Sequence, residues 1–176
     1  EKIDLSNKVS IAQLKQIGCG NYPNEIRLHQ DKLDSIERVE KQFIKTEKVY
    51  GKDVGFGVNA DQVVSSFVSD HKNQMGLIGS HSIGLDSGEI IPQSKVYHMM
   101  LSRLVAMTFP GAYTAVSTDV VAFLHSLLEH QIIPIVPERE TVSASGDLGP
   151  QAKLFDILWK GQGDAFYQGR VWPVNE

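Results

Sequence analysis

The run with the clearest chemical potential is Ser143-Ala-Ser-Gly-Asp-Leu148, centred on Ala144, Ser145 and Gly146. Ser145 stands between the two smallest residues, so little side-chain bulk keeps the backbone from folding back on itself. In that geometry the Gly146 amide nitrogen could attack the Ala144 carbonyl carbon and close a five-membered ring. Loss of water from that ring, and of the Ser145 hydroxyl as a second water, would leave an exocyclic methylene. Such a methylene is a strong electrophile, and none of the twenty side chains is one. Taken alone, Ala-Ser-Gly also reads as loop chemistry, with Asp147 and Pro150 suited to the start of a helix. A motif this short carries a high false-positive risk.

A second group of residues lies in Tyr50-Gly-Lys-Asp-Val-Gly-Phe-Gly57. Glycines at 51, 55 and 57 allow close backbone approach and positive φ, which puts Tyr50 on a sharply bent loop. A tyrosine can take or give a proton where its surroundings bring its pKa towards neutral. The local alternatives are an aromatic plug in a tight turn and a phosphate-cradling glycine loop. The latter fits poorly, because the run follows a helical pattern and lacks the dinucleotide spacing. A third group is Gly79-Ser-His-Ser-Ile-Gly84, read as a loop in which the His81 ring could face a cavity. A lone loop histidine is more often an ordinary polar residue. Metal ligation is not expected: His125 and His130 are five apart, off the i, i+4 spacing of a helical ligand pair, and no Cys-x-x-Cys or His-Glu-x-x-His occurs.

Helices must position these groups. Ser10-Ile-Ala-Gln13 fits a capping box, with Ile11, Leu14 and Ile17 inward and Gly18 as the stop. Residues 31–48 read as a longer helix with Leu33, Ile36, Val39, Phe43 and Ile44 on its buried stripe. The lysines of 41–48 alternate with Glu40 and Glu47 as a solvated face. A third helix is expected from Asp61 towards Ile78, using Val63, Val64, Phe67 and Val68. Ser94 is expected to cap a fourth, apolar around much of its circumference from Val96 to Met107, as a buried bundle helix would be. Ser117 starts a fifth, with Val120, Val121, Leu124, Leu127 and Leu128 at helical spacing, ending before Pro134. Pro150 opens a sixth, with Leu154, Phe155, Leu158 and Trp159 inward and Gly161 as its stop. Two short strands are expected around Gln168-Gly169. The reading is one mainly α domain with minor β.

Composition excludes several classes. The 176 residues carry a net charge of −4, with lysine and arginine scattered, so no nucleic-acid footprint is present. No apolar run reaches membrane-spanning length, and the first residues do not resemble a signal peptide. The single cysteine, Cys19, rules out an internal disulfide and suits a reducing, cytoplasmic compartment.

The run ending Ser143-Ala-Ser-Gly-Asp-Leu148 resembles the Gly-x-Ala-Ser-Gly-Asp-Leu signature of a family of ammonia-lyases and aminomutases. That family carries a methylidene-imidazolone prosthetic group. Tyr50 to Gly57 resembles its Tyr-Gly-x-x-x-Gly-Phe-Gly loop. Ser80-His81 falls where histidine ammonia-lyases carry Ser-His, phenylalanine lyases Phe-Leu and tyrosine lyases His-Leu. The order is kept over nearly the whole chain, through Ile135-Val-Pro-Glu138 and on to Gly161-Gln-Gly-Asp-Ala165.

The resemblance implies the N-terminal domain of the histidine ammonia-lyase-like helical fold, spanning residues 1–176 without the family's C-terminal helical bundle. It implies MIO (4-methylidene-imidazol-5-one) formed from Ala144, Ser145 and Gly146, with Tyr50 as the base. Ser80, His81 and Gly57 are then expected on the substrate. The implied reaction is loss of ammonia from an aromatic amino acid, histidine first, giving urocanate. A homo-oligomer, a homotetramer in the family, or a complementary C-terminal chain would complete the pocket. Rival readings are an aminomutase, a phenylalanine or tyrosine ammonia-lyase, and a non-catalytic scaffold. The chain departs from the pattern at Asp53-Val54 for Asn-Thr, at Ser143 for Gly, at Gly149-Pro-Gln-Ala152 for Ala-Pro-Leu-Ala, and at Pro110-Gly-Ala-Tyr113 for Ser-Gly-Ile-Arg. A carboxylate at Asp53 beside Tyr50 is expected to disfavour tyrosinate by like-charge repulsion.

Overall fold

The computed structural model describes residues 2–44, 49–63, 70–82, 88–109, 111–112, 114–139 and 148–175. The described residues are mainly helical, with short strands at both ends. Helix α1 (Ile11–Gly18) opens on the capping box: the Ser10 hydroxyl accepts the Gln13 N–H while Gln13 Oε1 accepts the Ser10 N–H. It ends at Gly18, as expected, and Gly20 closes the end. Gly20 sits at φ +89° and donates to the Ile17 carbonyl, and Asn21 N–H reaches back to Gln16, the pair of bonds that closes a Schellman motif. Burial rises along α1, so Ile17 is inside while Ile11, expected inward, is 85% exposed.

Helix α2 (Gln30–Ile44) buries Ile36, with Leu33 packed against the core, and its Lys41 pairs with Glu37 on the solvated face. The expected start of the next helix at Asp61 is not observed. Residues 61–63 are non-helical, and Val63 forms an antiparallel bridge with Val54 instead, suiting a β-branched residue. Helix α3 (Asp70–His81) runs past Ile78; Val64, Phe67 and Val68 lie outside the described residues.

Helix α4 (Gln93–Thr108) is the centre of the domain. Val96, Tyr97, Met100, Leu101 and Leu104 are all almost wholly enclosed. Each such Leu or Met contributes on the order of 2 kcal/mol by leaving water. The start of α4 is Pro92, not Ser94: Lys95 and Val96 donate to the Pro92 carbonyl, and proline's fixed φ sets the entry. Tyr97 stacks on Tyr22 with centroids 4.4 Å apart and donates its hydroxyl to the Leu128 carbonyl. Burial pushes the Tyr97 phenol well above its ordinary range, with Tyr22 and Glu129 adding to the shift.

Helix α5 (Thr118–Glu129) starts where Ser117 accepts the Val120 N–H, and it packs Val121, Leu124, Leu127 and Leu128 onto the core. Strand β1 (Lys2–Asp4) pairs in parallel with β2 (Glu25–Arg27), Ile3 facing Ile26. The outer edge of β2 meets side chains of α5: Ile26 N–H donates to Glu129, and His125 Nε2 donates to the Ile26 carbonyl. Strand β3 (Ile133–Pro134) follows, then α6 (Gly149–Lys160), with Gly161 in the left-handed region at its end. Within α6, Leu154, Ile157 and Leu158 are buried, whereas Trp159, expected inward, is 47% exposed because the apolar stripe turns through Ile157 instead. Strands β4 (Asp164–Tyr167) and β5 (Arg170–Pro173) form the expected hairpin beside β3. Positive φ at both Gln168 and Gly169 suits its two-residue turn.

Candidate active site

The loop that carries Tyr50 is folded by its own backbone. Lys52 and Asp53 N–H donate to the Val49 carbonyl, and Gly51 N–H donates to that of Val54, whose side chain is buried. Gly51 sits at φ +74°, and a Cβ there would lie 2.5 Å from the Phe56 ring. Only glycine lets the aromatic ring close over this turn. The Tyr50 hydroxyl accepts the Gly57 N–H at 3.1 Å, at the start of a 3₁₀ turn over Gly57–Asn59.

Two anchors hold the loop to the helices. Lys52 donates to the Phe43 carbonyl at 3.3 Å, near the end of α2, with its ammonium 5.3 Å from the Phe43 ring centroid. Gln74 of α3 donates to the Gly51 carbonyl at 2.8 Å. Asp53 does not act as a bare charge beside Tyr50: its Oδ2 accepts the Val49 N–H at 3.0 Å and its Oδ1 lies 3.4 Å from Lys52 Nζ.

Ser80 and His81, expected in a loop, form the last turn of α3. The Ser80 hydroxyl donates to the Leu77 carbonyl at 2.8 Å, and His81 Nδ1 meets the same carbonyl at 2.8 Å. A carbonyl only accepts, so Nδ1 carries a proton and Nε2 is left as the acceptor of the neutral ring. The Phe56 ring stands edge-on to His81, centroids 5.4 Å apart, and tilts against Tyr50 at 5.1 Å. Phe56 therefore joins Tyr50 and His81 into one aromatic row, with Gly57 hydrogen-bonded to its first member. Phe56 was not singled out by sequence reasoning; its place between Gly55 and Gly57 is the signal that could have found it. Ser80 is exposed, and its hydroxyl is engaged by its own helix.

Ala144, Ser145 and Gly146 lie outside the described residues. On one flank, Pro137 bridges Ile90 and Glu138 N–H donates to the Glu89 carbonyl. On the other, α6 begins with Leu148 at its cap, Pro150 in its first turn, and no side-chain cap. His125 and His130 each place a ring nitrogen on a backbone carbonyl, those of Ile26 and Ser126. A cavity of about 310 Å³ between α2 and the end of α4 is lined by Lys32, Arg38, Thr108 and Phe109 among others, and by none of the candidate residues.

Residues 9–176 match the family model described as aromatic amino acid lyase. The chain is 34% identical over 153 residues to the histidine ammonia-lyase of Bacillus velezensis, covering 82% of this chain and 28% of that protein. It is 33% identical over 171 residues to the histidine ammonia-lyase of Bartonella henselae, covering 92% of this chain and 31% of that protein. Among solved structures, ergothionase from Treponema denticola superposes with a TM-score of 0.80 at 18% identity, over 99% of this chain and 34% of that one, a likeness of fold. The chain thus spans less than a third of the length of these two curated relatives. With its helical fold, its glycine-bent tyrosine loop and a family match over nearly its whole length, the chain belongs to the aromatic amino acid lyase family.

Proposed function

We propose that this chain is the N-terminal part of an ammonia-lyase that removes ammonia from an aromatic amino acid, histidine first, giving urocanate. The observation that carries this reading is the row Tyr50, Phe56, His81, which sets a candidate base beside a candidate side-chain receptor. Tyr50 takes the β-proton of the substrate, and the Gly57 N–H at its oxygen holds the hydroxyl in place. His81 receives the substrate's aromatic ring through Nε2, which suits a ring that donates an N–H. That preference, and the histidine ammonia-lyases among the relatives, put histidine ahead of phenylalanine or tyrosine.

Ala144, Ser145 and Gly146 are the residues that would form MIO. The chain's chemistry fits that group: Ser145 stands between two minimal side chains, and the uncapped start of α6 follows within three residues of Gly146. The group supplies an electrophile that turns the substrate's ammonia into a better leaving group. Tyr50 is 61% exposed in this chain, so a substrate held over it needs further walls to enclose it. The family's C-terminal bundle, or further copies in a homo-oligomer, completes the pocket over it.

The test is an intact mass of the protein at its natural length, followed by product analysis with histidine. A mass two waters below the sequence and formation of the α,β-unsaturated acid support the proposal. A β-amino acid product would assign an aminomutase, and a mass equal to the plain sequence with no turnover would leave a scaffold.

A further inference from the structure

The C-terminal turn of α3, which carries Ser80 and His81, is fastened to α6 by a small polar cluster. Asp156 is the centre of that cluster, with a side chain only 16% exposed. Its Oδ2 accepts the Ser82 hydroxyl at 3.1 Å. Its Oδ1 lies against Lys160 Nζ, an ion pair by distance but without hydrogen-bond geometry. An enclosed carboxylate is costly unless it is bonded and paired, so these two partners fix it. Lys160 Nζ in turn lies beside Gly79, a cation against the negative end of α3.

Ser82 is held twice. Its N–H donates to the Ile78 carbonyl, closing the helix end, while its hydroxyl is taken by Asp156. His81 is the last residue of that turn and immediately precedes Ser82. Its Nδ1–H can stay on the Leu77 carbonyl only while residues 77–82 keep this geometry. The start of α6, seven residues before Asp156, follows directly on the 140–147 segment. The α3–α6 contact therefore sets the spacing between His81 and α6.

We propose that Asp156 is a positioning residue for His81, acting through Ser82, so that Nε2 faces the substrate ring; this rests on the reading of His81 as the receptor of that ring. Asp156 touches no reacting atom. Its effect is on recognition: losing it frees the imidazole to change tautomer and direction, and substrate binding weakens more than turnover does.

The experiment uses the natural-length protein with Asp156→Ala, Ser82→Ala, the double variant and Asp156→Asn. With histidine as substrate, each alanine variant is expected to raise KM about fivefold and to change kcat less than about twofold, the effect of one modest hydrogen bond. The double variant should be no worse than either single one. Asp156→Asn, whose amide oxygen can still accept from Ser82, should restore KM. Nitrogen-15 NMR of labelled histidines gives a readout that does not need turnover: His81 is expected in the Nδ1–H form in the parent and in Asp156→Asn, and mixed in Asp156→Ala. An unchanged KM and tautomer in Asp156→Ala, or additive effects in the double variant, would overturn the proposal. If no form of the protein turns over histidine, the lyase reading fails while the tautomer measurement still decides the positioning role.

Discussion

The phenolic oxygen of Tyr50 accepts the backbone N–H of Gly57 at 3.1 Å, across a loop bent by Gly51 and Gly55. The hydroxyl thus has a fixed place and a donor aimed at the position where negative charge would develop. Removing it takes away the proposed base and little packing. Tyr50→Phe in the natural-length protein is expected to lower kcat by about 10²–10⁴-fold, the usual worth of a general base. The folded state should lose no more than about 1 kcal/mol, since the bond is exposed. Steady-state kinetics and a thermal melt on the same preparation check both halves. An unchanged kcat would mean that Tyr50 is not the base.

Two glycines of the same loop separate strain from collision. Gly51 and Gly57 both have positive φ, +74° and +56°. A methyl at Gly51 would lie 2.5 Å from the Phe56 ring, whereas one at Gly57 meets nothing within 4 Å. Gly57→Ala is expected to cost about 1 kcal/mol of backbone strain. Gly51→Ala is expected to cost about 2–4 kcal/mol, because Phe56 must move as well. Urea denaturation of the two variants gives the ranking, and equal losses would show that Phe56 yields freely. Since Phe56 touches both Tyr50 and His81, Gly51→Ala should also depress activity more.

Elements that depend on local rules were legible in the sequence. The Ser10–Gln13 box, the Gln168–Gly169 turn and the apolar girth of α4 all appear where residue type and spacing put them. The parallel pair β1–β2 was not legible, since three-residue strands show no periodicity and their partners lie over twenty residues apart. Gly18 ends α1 where residue type puts it, whereas Ser94 looks like a cap and Pro92 performs that role, because the tertiary path decides which of two nearby candidates sits at the helix start. At the candidate site, Tyr50 and His81 stood out by type, while Phe56 and the Ser82–Asp156 bond did not. Apolar and hydroxyl side chains declare a role only once something is seen against them.

The outer edge of β2 offers a third test. Ile26 would leave its N–H and carbonyl unpaired on the side away from β1, and Glu129 and His125 of α5 take them instead. Two side chains four residues apart on a helix thereby stand in for a missing strand. Glu129→Ala is expected to speed hydrogen exchange at the Ile26 amide while leaving amides within α4 protected. His125→Ala should destabilise the domain by about 1–2 kcal/mol, as it strands a partly enclosed carbonyl. Unchanged exchange at Ile26 in Glu129→Ala would show that water replaces the carboxylate at no cost.

Acid should loosen the N-terminal strand pair through Asp4 and Glu25. The Ser6 hydroxyl first, then the Ser6 N–H, and also His29 hold the Asp4 carboxyl below its ordinary range. Lys2 first, then Arg27, do the same for Glu25. A carboxyl depressed in the folded state contributes stability that is present above its unfolded pKa and lost as pH falls through the folded one. Stability should therefore be flat with respect to these two groups near neutral pH and decline on the acid side of the ordinary carboxylate range. Asp4→Asn removes one of the two titrations while keeping a side-chain oxygen for Ser6. Its urea midpoint should accordingly fall less steeply with acid than that of the parent, with Glu25 accounting for part of the remaining slope. Parallel curves for the two proteins would show that Asp4 bonds Ser6 as strongly unfolded as folded, and that the β1 end carries no acid sensitivity of its own.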